Sequence, residues 1–448
     1  MNTATEAVAL RIARAFSEAE VVGDAAVLER YEVDDLRPGA AIFPRSSADI
    51  SDILQFAASE KMAVIACGSR TKLGIGSPPH KYDVALDLSR LNRVLSYEPR
   101  DLTLGVEPGV TISALSEVLA AENQFLPLDP PFAASATIGG IIASDSVSPL
   151  RQRFGGPRDF VLGMEFVTGY GAQSKSGGRV VKNVTGYDLH KPLIGSLGTL
   201  AVITRINLKT FPIPQSRAGF SIMVPKLSDV QMFFQAIADS PLEPIALAAF
   251  SSGAEISRSR SGSGSWNALA VTAGNDAVVT RYRRDFSTAV TRIPGAEMAE
   301  LGPSEFNQNY EFVREFPRLA KESSASAVVF RIAALPAAIA SVIERLQDAL
   351  QRAEVNCDVL AHAFGLIYFA VLPDRNVAMD RLGALAAEVF QLVVDAGAQA
   401  RIEFGPTALK RVTRVWGPAR ADFELMARVK RTFDPENILS PGRFVEGM

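Results

Sequence analysis

Residues 63–74 read Ala63-Val64-Ile65-Ala66-Cys67-Gly68-Ser69-Arg70-Thr71-Lys72-Leu73-Gly74. Five apolar residues in a row, ending at a glycine-bearing polar loop, read as a buried strand that empties into a turn. The loop supplies glycines, two hydroxyls and successive backbone N–H groups, which is the makeup of an anion-binding nest. Taken alone, such a loop is more often an ordinary turn, so its meaning depends on what surrounds it.

Upstream, Pro44 opens a segment in which Ile50, Ile53, Leu54 and Ala57 recur at helical spacing, with Asp49 and Ser51 as capping candidates. Downstream, short strands are expected at 84–88, 94–97 and 102–106, then a helix over 112–121. Glycine is concentrated beyond it, with 12 of the chain's 33 in residues 131–200. An excess this local means main chain brought close to something, although surface hairpins give the same composition. Within it lies Ala136-Thr137-Ile138-Gly139-Gly140-Ile141-Ile142-Ala143-Ser144. Here Thr137 is placed to cap a short helix whose paired glycines admit a phosphate group to its first amides. The rival reading of Gly139 and Gly140 is close helix packing, and the sequence leaves both open.

Residues 200–211 alternate as a strand, and Pro212 and Pro214 mark a domain boundary. After Gln215 come strand and helix blocks at 219–224, 228–238, 245–250, 266–272, 279–290, 327–333, 335–350, 359–364 and 366–372. They predict an α+β domain built on an antiparallel sheet with helices on one face. Residues 251–265, with seven serines and three glycines, read as a mobile loop. The chain closes with a helix over 423–431 and a tail holding Phe433-Asp434-Pro435 and Pro441-Gly442-Arg443. The expected division is 1–215, 216–415, and a tail of 416–448 that packs back on the first domain.

Composition excludes several classes. The 448 residues carry 46 Lys plus Arg against 49 Asp plus Glu, a formal charge of −3, so nothing points to nucleic acid. Cys67 and Cys357 stand 290 positions apart, which argues against a disulfide framework, a cysteine zinc site or an iron–sulfur cluster in this chain. No run approaches the ~18 apolar residues of a spanning helix. The first 23 residues mix charged and apolar side chains, unlike a targeting peptide. A cytoplasmic chain is expected, peripheral on the inner membrane only through partner subunits. The three-glycine dinucleotide turn is missing, as is a glycine loop ending in Lys and Ser or Thr, so neither a Rossmann core nor a phosphate-loop NTPase is supported.

Over residues 44–214 the chain resembles the vanillyl-alcohol-oxidase type of FAD-binding proteins, the PCMH-type fold. The resemblance rests on four motifs in the family's order and spacing: the 68–74 loop; Thr137-Ile138-Gly139-Gly140; Arg158-Asp159-Phe160-Val161-Leu162-Gly163; and Gly195-Ser196-Leu197-Gly198-Thr199-Leu200 with Val202-Ile203-Thr204. Leu128-Asp129-Pro130-Pro131 and Val181-Lys182-Asn183-Val184-Thr185-Gly186-Tyr187-Asp188-Leu189 look like the FAD-binding subunit of bacterial glycolate oxidase, and the tail resembles FAD-linked 2-hydroxy-acid oxidases.

The resemblance implies an α+β chain, a two-part FAD-binding domain followed by a cap domain. FAD would be held by Gly68, Ser69, Arg70, Thr71, Lys72, Leu73 and Gly74 in the first loop. Pro130, Pro131, Ala136, Thr137, Gly139, Gly140, Ala143 and Ser144 would form the second, with Val202 and Ile203 near the adenine or ribose. Histidine or cysteine at the family's usual attachment positions is missing from both loops, so noncovalent FAD is expected.

Catalytic members carry a histidine-rich metal and base constellation that includes Glu-His-Gly. Here that position reads Glu403-Phe404-Gly405, and the chain has only His80, His190 and His362. No metal site is therefore expected, and no catalytic residue is assigned. Tyr187 and Asp188 are polar candidates near a flavin, with a turn role as the rival, Asp188 capping a helix over 189–194. Arg401, Lys410, Arg411 and Arg414 suit a carboxylate, a solvated face or a docking surface. The implied role is an FAD-binding subunit passing electrons between a catalytic flavin subunit and an iron–sulfur subunit. An autonomous FAD-dependent 2-hydroxy-acid dehydrogenase and a scaffold with structural FAD are the alternatives.

Overall fold

A computed structural model describes residues 3–179, 186–251, 265–374 and 377–448. Three large sheets organise the described residues, with a two-stranded pairing of Gln124–Phe125 and Phe211–Pro212 beside them. The first has four strands in the order Glu20–Val22, Ala40–Phe43, Val84–Asp87, Val64–Cys67, of which the last three run parallel. Those parallel strands are almost wholly buried, which is why they read as continuous apolar runs. Helix Ser47–Ser59 packs Ile50, Ile53, Leu54 and Ala57 into the same core. Its cap is Ser46, whose hydroxyl accepts from the Asp49 amide, rather than Asp49 or Ser51; Ser51 is buried and donates to Gly171 O.

The second sheet is antiparallel, in the order Val94–Glu98, Thr103–Val106, Ala201–Lys209, Val161–Thr168, Gln173–Gly177. Helices Ile112–Ala120 and Ile138–Ser144 bury Leu115, Leu119, Ile138, Ile141 and Ile142 against it.

The third sheet is antiparallel and has eight strands. Their order is Glu297–Glu300, Ser216–Val224, Trp266–Gly274, Ala246–Ser251, Asn356–His362, Leu366–Leu372, Val328–Ala333, Gln399–Phe404. Helices Leu227–Ala238, Asp276–Val290, Ile339–Arg352 and Met379–Asp395 cover one face. The expectation of helices on one face only is corrected here. Helix Pro303–Ser323 lies on the other face and packs Tyr310, Val313, Phe316 and Ala320 beside Ile75, Val147 and Leu150 of the first domain. A sheet that is apolar on both faces needs two covers, and the first domain supplies part of the second.

The C-terminal segment returns to the first sheet. Leu439 bridges Val64 in parallel, with Val64 N donating to Ile438 O and Ser440 N to Val64 O, which closes that sheet's edge. Lys430, buried, donates to Asp434, Thr199 O and Leu439 O. The expected helix over 189–194 is not formed: the segment holds only the single turn Lys191–Leu193, while Asp188 pairs with Lys191 and Tyr187 is 90% exposed. Most of the serine-rich 251–265 stretch and residues 180–185 fall outside the described residues.

Candidate functional site

The strand Val64–Cys67 delivers its loop against the helix Ile138–Ser144. A Cβ built at Gly68 would lie 2.5 Å from Thr137 Oγ1, so glycine is what lets these two segments touch. Between them and the turn at 195–199 runs a cleft of about 840 Å³, its open mouth included. It is lined by Gly68, Ser69, Arg70, Thr71, Lys72 and Leu73, by Thr137, Gly139, Gly140, Ala143 and Ser144, and by Val202 and Ile203. Of the residues expected from the sequence, Gly74, Pro130, Pro131 and Ala136 do not line it. Pro131 O instead accepts from Lys72 Nζ at 3.2 Å, Gly74 O accepts from Lys410 Nζ, and Ala136 O accepts from Ile112 N.

Electrostatically the two glycine segments differ. Among the described residues, no acceptor meets the backbone N–H of Ser69, Arg70, Thr71 or Lys72, and Arg70 takes a left-handed φ of 65°. Successive unspent amides through a left-handed residue make a concave donor surface, which suits the diphosphate of FAD. The second segment's amides are already used: Ile138 N donates to Val110 O, Gly139 N to Pro108 O, and Gly140 N to Thr137 Oγ1. A Cβ at Gly139 would fall 2.6 Å from that of Pro108, so this glycine serves helix packing. The anion-binding capacity therefore sits in the first loop, and the second segment contributes shape. Ile65, Leu88, Val202 and Ile203 give one stretch of the cleft an apolar wall suited to a planar ring system.

The cleft residues beyond those expected from the sequence include Ser196, Leu197 and Gly198, which wrap the end of the helix through Gly195 N to Ile142 O and Leu197 N to Ala143 O. Arg443 from the tail is another. Their signal was present in the Gly195–Thr199 and Pro441-Gly442-Arg443 motifs but carried no assigned contact.

Beside the Lys72 and Ser144 end of the cleft, the eight-stranded sheet turns a polar patch toward the first domain. Arg331 stands directly across from Tyr368 on one side and Arg401 on the other. A bulge between Val329 and Phe330 inserts Glu403 as an extra residue, and bulges of this kind re-aim side chains. Glu403 accepts from Arg401 Nε at 2.8 Å, and Arg331 donates to both the backbone and side chain of Asp145 at 3.0 Å. Asp145 ends the cleft helix with a φ of 46°.

Burial works against the Arg331 charge, but Glu403, Tyr368 and Asp145 outweigh it and hold its pKa above the ordinary value. Burial lowers that of Arg401 despite Glu403. Burial also pushes Lys72 down to about 8 against the pull of Glu403 and Glu315. His362 is buried and stacks on Phe364 at 5.0 Å, and among the described residues its Nδ1 has no partner. Burial and Arg151 push its pKa down to about 3, so the ring is neutral. Phe404 packs its ring on Phe132. Glu315, from the helix unread in the sequence, accepts from Phe132 N at 2.9 Å and thereby ties the cap to the 130s segment.

Residues 38–177 match the family model described as FAD binding domain, and residues 213–444 match that described as FAD linked oxidases, C-terminal domain. The chain is 24% identical over 416 residues to glycolate oxidase subunit GlcD of Bacillus subtilis (strain 168), covering 91% of this chain and 88% of that one. It is 33% identical over 190 residues to glycolate oxidase subunit GlcE of Escherichia coli (strain K12), covering 42% of this chain and 53% of that one. The fold is similar to that of p-cresol methylhydroxylase, with a TM-score of 0.77 at 16% identity over 99% of this chain and 97% of the other.

Proposed function

The chain belongs to the FAD-linked oxidases, a family of FAD-dependent oxidoreductases, and on that premise we propose that it oxidises a small 2-hydroxy acid as one subunit of a glycolate-oxidase-like assembly. The observation that carries this reading is the patch of half-buried Arg331 and Arg401 with buried Glu403 that adjoins the cleft. Arg331 and Arg401 are placed to receive the acid's carboxylate, since two guanidiniums in a water-poor site offer the directional donors a carboxylate needs. FAD, when bound, supplies the acceptor for the two electrons. The amides of residues 69–72 hold its diphosphate, and Val202 and Ile203 flank its adenine half. Relatives named as glycolate oxidase subunits and as D-lactate and D-2-hydroxyglutarate dehydrogenases support this substrate class. The test is anaerobic addition of glycolate, D-lactate or D-2-hydroxyglutarate to the purified chain. Bleaching of its flavin band by at least one of them is the expected result.

A second reading is favoured by Phe404. An aromatic hydrocarbon there, against Phe132, cannot accept the hydroxyl proton. On that reading the flavin only passes electrons between a catalytic flavin subunit and an iron–sulfur subunit, and it bleaches only when those partners are added with substrate.

The FAD is held noncovalently. Cys67 lines the cleft, but burial, with Asp87 adding to it, raises its thiol pKa well above normal, which keeps it an unreactive thiol. Acid-precipitated protein is therefore expected to be colourless, with the yellow in the supernatant; a yellow pellet would contradict this. Lys72 gives a pH signature. Its ammonium is charged below about 8 and neutral above it, so FAD affinity should fall as pH rises through that value. Titration of Lys72→Met is expected to show no such fall.

A further inference from the structure

We propose that Arg443 and Lys410, two cations from the C-terminal half of the chain, are positioning residues for FAD. They hold the carbonyl side of the segment after the nest, so that the amides of residues 69–72 face the cleft. The inference rests on the reading that this loop takes the diphosphate.

A loop that offers its N–H groups on one side must find donors for its carbonyls elsewhere, because buried carbonyls are rarely left unpaired. Here three successive carbonyls are met by two buried cations. Arg443 Nη2 donates to Leu73 O and Ile75 O, and Lys410 Nζ donates to Gly74 O at 2.6 Å. Lys410 is balanced by Asp34 at 2.8 and 2.9 Å, and Asp34 reaches it from a left-handed φ of 48°. The backbone of Arg443 is anchored as well, its carbonyl accepting from Ser77 N at 3.0 Å and Trp416 Nε1 at 3.1 Å. Gly76 permits that approach: its φ is +96°, and a Cβ there would lie 2.7 Å from Arg443 O.

Arg443 differs from Lys410 in one respect. It is 3% exposed and lines the cleft, yet among the described residues it forms no ion pair, and its Nε has no partner. Asp34, which is bonded to Lys410, acts on Arg443 only from a distance, and a buried guanidinium without a direct counter-charge is costly unless an anion joins it. Among the described residues, Arg443 and Lys72 are thus cations of this wall that form no ion pair, beside the run of unspent amides described above, and an anionic ligand satisfies all of them.

The experiment measures FAD Kd on deflavinated full-length protein, alongside the melting temperature without FAD. The variants are Arg443→Met, Arg443→Lys and the double variant Asp34→Asn with Lys410→Met. Hydrogen bonds from charged groups are worth enough that Arg443→Met should weaken FAD about tenfold or more, with Arg443→Lys recovering part of the loss. The double variant removes a charge pair together, which spares the apo fold, and should also weaken FAD. A merely structural latch predicts the opposite pattern, a lowered apo melting temperature with Kd within about twofold of the wild type, and that result overturns the inference. Should Arg443→Met not fold, the double variant decides in the same way. Wild-type protein that takes up no FAD would overturn the reading of the cleft itself, and the inference with it.

Discussion

Gly68→Val is expected to abolish useful FAD binding while leaving the apo protein folded. The Cβ alone would sit 2.5 Å from Thr137 Oγ1 and 3.0 Å from Thr137 Cγ2, so the loop and the helix cap must separate. Overpacking of this kind costs about 1–3 kcal/mol, and the displaced loop also loses its row of converging amides, so a rise in Kd of about 100-fold is expected. Flavin fluorescence titration measures it. Gly74→Ala serves as the contrast: a Cβ at Gly74 meets nothing within 4 Å, and its effect should be small. Equal losses at the two positions would show that close approach of the loops is not what Gly68 provides.

Arg331→Met should separate chemistry from cofactor binding. Arg331 touches Asp145 and lies next to Glu403 and Tyr368, but it does not line the cofactor cleft. Its loss removes the better-supported of the two cations assigned to the substrate carboxylate. A fall in kcat/KM of about 10²–10³ is expected, with the FAD content unchanged, since single charged contacts to a reacting group are worth that much. Arg331→Lys restores charge without the two-pronged geometry and should recover only part of it. Because the change also leaves Asp145 without its nearest buried partner, some loss of stability accompanies it, and the melting temperature must be read alongside. Unchanged turnover in Arg331→Met would remove the carboxylate role and leave the electron-passing reading in its place.

The cofactor half was legible because its signals are local. A buried strand running directly into a glycine loop, and a threonine capping a glycine pair, announce themselves over a dozen residues. What the sequence could not reveal is how the second segment spends its amides: the acceptors Val110 O and Pro108 O lie 28 and 31 positions upstream of their donors Ile138 and Gly139 and carry no side-chain signature. The helix Pro303–Ser323 was unread for a different reason. Its buried Tyr310, Val313, Phe316 and Ala320 form a narrow stripe among charged residues, and Pro317 inside it argues against helix by rule. Missing that helix hid Glu315, and with it the tie between cap and cofactor domain. The Arg331 to Asp145 contact spans 186 positions and the Lys410 to Gly74 contact 336, so neither leaves a pattern that a single sequence can display. The departure at Phe404 was readable by resemblance; its packing against Phe132 was not.

The most direct test of the account is a crystal structure of the chain with FAD. The diphosphate oxygens are expected within hydrogen-bonding distance of the backbone N–H groups of residues 69–72, with the Arg443 guanidinium alongside. A diphosphate bound elsewhere, with those four amides turned to solvent or taken up by protein acceptors, would contradict it.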